Sequence, residues 1–249
     1  MRRVNGYLGA VLGVAAGLLA GPALASSSTG GAGMSASSAP VAKMNGTVQP
    51  ANVTVSTSGN GISLASRASA VLRNQLRFSG SAPANDAGAI VEIERLGHET
   101  GWAWAPTTHA RIGQDGTFTA IWRTNHIGRF AVKAVVQTAG GARAAAASPT
   151  VTVTVYRQTI ATLFGPGFWG QQTACGEKLS HSMLGVANRT LPCGTPVALY
   201  YRGRTIVVPV IDRGPYANHA DYDLTMATGR ALGIDTTVTI GSVSLPRHR

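Results

Sequence analysis

Charge is scarce in this 249-residue chain: Asp, Glu, Lys and Arg together make up 12% of it. Lysine is nearly missing, with three (Lys43, Lys133, Lys178) against 18 arginines. Aromatic residues amount to 6%, and there are two cysteines. Each shortage excludes something. Two cysteines cannot close a four-cysteine zinc site, and no other metal-ligand spacing is evident, so no metal site is expected. Low charge excludes the solvated, highly charged composition of a disordered chain. No apolar run reaches the roughly 20 residues that a membrane-spanning helix needs, so no membrane span is expected in the mature protein. There is no Lys/Arg run and no basic helix, so a nucleic-acid partner is not expected either.

What charge there is has one sign. The formal net charge is +11, from 21 Lys+Arg against 10 Asp+Glu. Residues 51–155 hold nine Arg/Lys and five Asp/Glu, and residues 156–249 hold nine and five again. A positive charge spread this evenly reads as general attraction to an anionic envelope rather than as a patch. The N-terminus reads as an address. Arg2 and Arg3 precede the apolar run Tyr7 to Ala20, Gly21-Pro22 breaks it, and Ala23-Leu24-Ala25 is a small-x-small cleavage site. Residues 1–25 are therefore expected to be a signal peptide cleaved after Ala25. That places the mature protein outside the cytoplasm, secreted or at the cell wall, where disulfides persist. Residues 26–50, mostly Ser, Gly, Ala and Pro, are expected to be a flexible tether.

Residues 51–155 alternate with period two. Val91 and Ile93 alternate with Glu92 and Glu94, and Phe118, Ala120 and Trp122 alternate with polar neighbours after the turn Gln114-Asp115-Gly116. Phe130, Val132, Ala134 and Val136 make one face of a strand, as do Val151, Val153 and Val155. Short alternating strands split by Gly, Pro and Asp predict a β-sandwich. The stretches Phe78–Pro83, Ala89–Ile93, Gly116–Phe118 and Gly128–Phe130 loosely resemble bacterial immunoglobulin-like spacer domains. Trp102 and Trp104 would share a face if on one strand, as a sugar platform or as a core pair. His98, His109 and His126 fall in expected loops and read as surface residues.

Residues 156–249 have denser Gly and Pro turns. Strands are expected at Val197 to Tyr201 and Thr205 to Ile211, joined by a hairpin in which Gly203 supplies φ > 0. Thr225 as N-cap, Met226 to Leu232 as body and Gly233 as stop predict one short helix. Short strands with one helix point to a small closed barrel. Five stretches then stand in order: Ala161–Gly170; Thr173-Ala-Cys-Gly-Glu177; Val186-Ala-Asn-Arg-Thr-Leu-Pro-Cys-Gly-Thr195; Val207–Pro215, containing Asp212-Arg-Gly-Pro; and Asp221-Tyr-Asp-Leu-Thr225 with Arg230-Ala-Leu-Gly233. This resembles the rare lipoprotein A (RlpA-like) family of six-stranded double-psi β-barrels. The barrel is shared more distantly by expansins, barwin-type lectins and family 45 glycoside hydrolases. The resemblance implies action on cell-wall glycan, characterised members being lytic transglycosylases of peptidoglycan.

Breaking a glycosidic bond needs a proton donor to the leaving oxygen and a stabiliser of the oxocarbenium-like centre. In a lytic transglycosylase the sugar's own C6 hydroxyl attacks, so one carboxyl acting as acid and then base can serve. The family's functional carboxylates fall on Glu177 and Asp212, the expected catalytic pair, with an inert surface carboxylate as the other reading of Glu177. Asp212 reads equally as a carboxylate held at a strand end and as the cap of its own turn. The family's third position, a His, is Asn188 here, which can hydrogen-bond a sugar but cannot exchange a proton near neutral pH. Asp223 matches an Asp that expansins carry; it binds substrate or acts in catalysis, or it compensates the helix dipole. Arg213 steers a carboxylate or the peptide stem, or simply braces the turn. Trp169 is the leading aromatic for sugar binding beside the Gly-rich start, ahead of Phe164 and Phe168. Cys175 and Cys193 lie in loop motifs that adjoin one groove in the family and are expected to pair, against a catalytic thiol or an intermolecular bridge.

The sequence thus predicts an all-β chain: an immunoglobulin-like β-sandwich (51–155) followed by an RlpA-like barrel (156–249). It is expected to be a monomer needing no cofactor that cleaves peptidoglycan glycan strands. The alternatives are an expansin-like, non-catalytic binding or wall-loosening module, favoured by Asn188, and a structural or inhibitory wall protein.

Overall fold

The computed structural model describes residues 46–137, 143–217 and 219–247. The leader expected at 1–25 and most of the tether lie outside them. In chain order the strands are β1 (Gln49–Pro50), β2 (Thr54–Gly59), β3 (Ile62–Arg67), β4 (Ser69–Val71), β5 (Gln75–Ser81), β6 (Ile90–Leu96), β7 (Ala105–Arg111), β8 (Thr117–Arg123), β9 (Gly128–Gln137) and β10 (Arg143–Ala147). There follow β11 (Val151–Phe164), β12 (Val186–Ala187), β13 (Pro196–Tyr201), β14 (Arg204–Asp212), β15 (Tyr222–Thr225), the helix α1 (Met226–Leu232) and β16 (Val238–Ser244).

Period-two alternation builds the N-terminal half. One sheet has the order β2-β3-β5-β8; the other pairs β7-β6-β9 with the first half of β11. In β8 the inward set Phe118, Ala120 and Trp122 is buried while its neighbours are exposed, as the pattern predicts. These residues meet Phe130, Val132, Val153 and Val155 from the opposite sheet in one apolar core, which makes the pair a sandwich. Three details differ from the sequence reading. Trp102 and Trp104 lie before β7, not on a strand. Trp102 has φ +61° and stays 46% exposed, and the Lys133 ammonium sits 4.1 Å from the Trp104 ring centre. His109 lies on β7 rather than in a loop, and the His126 ring nitrogen Nδ1 approaches Glu99 Oε1 at 2.7 Å.

The second half closes on itself. The strand order β11-β15-β12-β14-β13-β16 returns to β11, giving a six-stranded barrel with no free edge in the ring. Its core is Ala161, Val197, Leu199, Val208, Tyr222, Leu224 and their neighbours. The hairpin at 202–203 is a two-residue loop, with Arg202 at φ +44° and Gly203 at φ +81°. No linker separates the two halves. β11 runs unbroken for 14 residues, giving its first part to the sandwich and its second to the barrel. Tyr156, Ala198, Val243 and Leu245 form a separate apolar seam at that junction. The end of the expected tether is not free either: Gln49 and Pro50 pair with Thr205 and Arg204, and Ala51 is buried.

The helix is capped where the sequence places the caps. Thr225 accepts from Thr228 N–H at 3.1 Å, and Gly233 takes the left-handed conformation at φ +78°. Both threonines are fully buried, and Thr228 Oγ1 continues the network to Gly185 N–H and C=O. Thr225→Ala leaves the Thr228 amide without an acceptor in the core, so we expect a loss of about 1–2 kcal/mol. Urea unfolding of the full chain measures it, and Thr225→Ser should recover most of the loss.

Candidate functional site

The barrel brings two carboxylates into one row. Thr162 of β11 pairs with Asp223 of β15, Asp223 with Ala187 of β12, and Ala187 with Asp212 of β14. Residues paired directly across strands share a face, and two strand spacings put the Asp212 and Asp223 Cα atoms roughly 10 Å apart. Tyr222 and Leu224, the chain neighbours of Asp223, point into the barrel core. The row therefore lies on the barrel's outer face.

Asp212 reaches this face through an irregularity. Val186 pairs with Val210, whereas Ala187 pairs with Asp212, so β14 has one residue more than β12 over this step. In a regular ladder Asp212 would share a face with the buried Val210. The extra residue turns it to the other side, beside Ala187. There Asp212 Oδ1 accepts hydrogen bonds from Ala174 N–H at 2.9 Å and from Arg213 N–H at 2.8 Å. Asp212 thus caps its own turn and is also presented on the face, as both sequence readings allowed.

Asp223 has the most unusual environment of the described carboxyl groups. Its Oδ1 is buried without a hydrogen-bond partner. Burial pushes its pKa up, the charge of Asp212 adds to the rise, and a hydrogen bond from Thr162 opposes it. A carboxyl whose pKa is raised, beside one that is fixed by two N–H groups, makes a better proton donor paired with an acceptor.

The other expected residues sit around this row in different ways. Glu177 is exposed, and among the described residues no hydrogen bond or ion pair joins its carboxylate to Asp212 or Asp223. It lies on the same narrow loop that delivers Ala174 to Asp212, a loop closed by Thr173 N–H to Glu177 C=O at 2.8 Å. Asn188 is buried and its amide is used by the backbone: Oδ1 accepts from Thr190 and Leu191 N–H, and Nδ2 donates to Asp221 C=O. Arg213 braces the same turn, donating to the carbonyls of Asn188 and Leu191. Cys175 and Cys193 are joined as a disulfide. It ties the loop of Ala174 and Glu177 to the strand-entry turn before β13. Arg213 Nη2 also lies 3.3 Å from Cys193 Sγ.

Trp169 stacks on His181 with ring centres 4.2 Å apart. A Cβ on Gly165, which has φ +152°, would lie 2.4 Å from the Trp169 ring, so the indole depends on glycine there. Phe168 and Tyr216 are the exposed aromatics of the barrel, at 54% and 80%. Tyr216 directly follows Asp212-Arg-Gly-Pro, yet sequence reasoning did not select it. Thr162 was not singled out either, although it stands in the stretch Ala161–Gly170; strand pairing places it against Asp223.

Residues 156–244 match the family described as Lytic transglycolase. A protein of Synechocystis named "Probable endolytic peptidoglycan transglycosylase RlpA" is 41% identical over 88 residues, which cover 34% of this chain and 27% of that protein. An "Endolytic peptidoglycan transglycosylase RlpA" of Campylobacter jejuni is 40% identical over 78 residues, 30% of this chain and 28% of its own length. The chain thus spans about a quarter of the length of these relatives. Among solved structures the Streptomyces papain inhibitor matches at 26% identity with a TM-score of 0.30, over 36% of this chain and 93% of that one.

Proposed function

We propose that the barrel cleaves peptidoglycan glycan strands as a lytic transglycosylase and that the protein acts outside the cytoplasm, at the cell wall. The observation that carries this reading is the row Thr162–Asp223–Ala187–Asp212 on the outer face of the barrel. Asp223, whose pKa its surroundings raise, donates its proton to the leaving glycosidic oxygen. The resulting carboxylate then takes the proton of the C6 hydroxyl as that oxygen closes onto the anomeric carbon, which gives an anhydro sugar and no net change in water. Asp212, oriented by two N–H groups, supports the positive charge that develops at the sugar ring. Glu177, exposed on the neighbouring loop, and the exposed Tyr216 and Phe168 bind the strand together with Trp169. Asn188 and Arg213 shape the turn rather than touch the substrate. The resemblance of residues 156–244 to the transglycosylases supports the reaction class, and the signal-like leader and the disulfide support export. The sandwich, with its loose immunoglobulin-like pattern, serves as a spacer that presents a monomeric barrel.

The test is digestion of purified glycan strands by the full chain, with mass spectrometry of the products. Anhydro-ended fragments are expected from the wild-type protein, and Glu177→Gln should weaken cleavage less than Asp223→Asn does. Ordinary reducing ends in place of anhydro ends would exclude the transglycosylase reaction. One observation favours a second reading, a non-catalytic wall-binding module: the family's His position holds an Asn whose amide is occupied by the backbone. Binding of the strands without any product would establish that reading instead.

A further inference from the structure

Between the sandwich and the barrel lies a cleft of ≈ 450 Å³, separate in residues from the Asp223–Asp212 row. Its polar end is set by strand geometry. Arg129 of β9 pairs with Thr154 of β11, while Phe130 and Val153 beside them point into the sandwich core. Arg129 therefore projects from the opposite side, toward the barrel, and lines the cleft. Burial draws its pKa down from the ordinary arginine value.

The sheltered arginines elsewhere are supplied with acceptors. Arg95 is held by Glu99 and by Pro106 C=O, and Arg213 by two carbonyls. Arg129 makes one long hydrogen bond, 3.4 Å to Thr154 Oγ1, and among the described residues no carboxylate pairs with it. Besides His98, which also lines the cleft, its other titratable groups are engaged: Arg157 lies 3.8 Å from Asp221, and Glu99 is taken by Arg95 and His126. A second donor lacks an acceptor too, because Thr195 lines the cleft and its buried Oγ1 has no partner. Arg129 is half-buried, and a partly desolvated guanidinium without a counter-ion is stabilised by a ligand that supplies the anion. One uncompensated positive charge calls for a monoanion, and the planar fork suits a carboxylate bidentately. Ile127, Leu191, Val243, Leu245 and Pro246 make the apolar part of the lining. They suit the small apolar side chain next to a peptide's terminal carboxylate.

We propose that this cleft binds the terminal carboxylate of a short peptide, with Arg129 as the anion anchor. The unbroken β11 and the apolar seam beside it keep the two walls in register, so the site is formed before the ligand arrives. Naming the peptide as a stem of the cell wall rests on the proposed function; the anion site does not.

Calorimetric titration of the full chain with N-acetyl-alanyl-alanine, and with the same peptide as its C-terminal amide, tests the site. The acid should bind in the millimolar range, and the amide should bind at least about tenfold more weakly. Arg129→Gln should remove that preference while staying folded by circular dichroism, and Arg129→Lys, which keeps charge but not the fork, should restore part of it. Equal binding of acid and amide, no binding of the acid at about 10 mM, or an unchanged preference in Arg129→Gln would overturn the proposal. Inorganic phosphate binding as tightly as the acid would overturn the peptide assignment. Digestion of glycan strands without peptides keeps the two readings apart: Arg129→Gln should cleave them at the wild-type rate, so loss of cleavage there bears on the barrel and loss of peptide preference bears on the cleft.

Discussion

Asp223→Asn is expected to lower glycan-strand cleavage by about 10²–10⁴-fold, the usual worth of a positioned general acid. The same change should raise thermal stability. The folded-state pKa of Asp223 is raised, chiefly by burial and further by Asp212. Such a group contributes to stability below its unfolded pKa, and that contribution is lost as pH rises through the folded value. At pH values above that folded-state pKa the wild-type protein therefore carries a disfavoured charge that Asn does not. A melting temperature that rises while activity vanishes separates a lost proton donor from a misfolded barrel. The pH profile has a definite sign as well. The proton donor must be protonated, so the rate should fall on the alkaline side, with its midpoint above the ordinary Asp value. Asp212→Asn removes one cause of the rise, so any residual activity should show that midpoint at lower pH. Unchanged cleavage by Asp223→Asn would clear Asp223 of the role and return the acid to Asp212 or Glu177.

Replacing Cys175 and Cys193 together by Ser is expected to cost about 3 kcal/mol, from the entropy of a loop of this length in the unfolded chain. The residues are 18 apart in sequence. The effect should extend to the site. Ala174, which donates to Asp212 Oδ1, precedes Cys175, and Arg213, the other residue holding Asp212, approaches Cys193. Freeing this loop loosens the Asp212 carboxyl, so cleavage should fall even at temperatures where the variant remains folded. Paired melting curves and product assays, with and without reductant on the wild-type protein, measure both effects. Full activity at a lowered melting temperature would mean that the bridge stabilises the barrel without orienting Asp212.

The difference between what could be read early and what could not has a physical pattern. The inward set of β8, the hairpin at 202–203 and the caps of α1 each depend on residues within a few positions of one another, and they stand where the sequence places them. Residues whose roles depend on distant strands were harder. Asn188 looks like a ligand-binding position, but its amide is spent on Thr190, Leu191 and Asp221. Trp102 and Trp104 look like a strand pair and stand in a loop. The boundary expected after Val155 falls inside a single 14-residue strand.

The chain's own order of residues determined that it is all-β, that its C-terminal part carries one capped helix, and which five carboxyl groups the barrel has. Periodicity and local turn chemistry decide these, and both are written along the chain. Tertiary structure alone decided that Asp223 and Asp212 face the same side, because one extra residue in β14 reverses the side on which Asp212 stands. It alone raised the pKa of Asp223 above that of an ordinary Asp, and it alone left Arg129 in a cleft without a counter-ion. Desolvation and charge pairing depend on what lies a few ångströms away in space, and the neighbours that decide these residues' environments, Asp212 and Thr162 for Asp223 and Thr154 for Arg129, are distant in sequence.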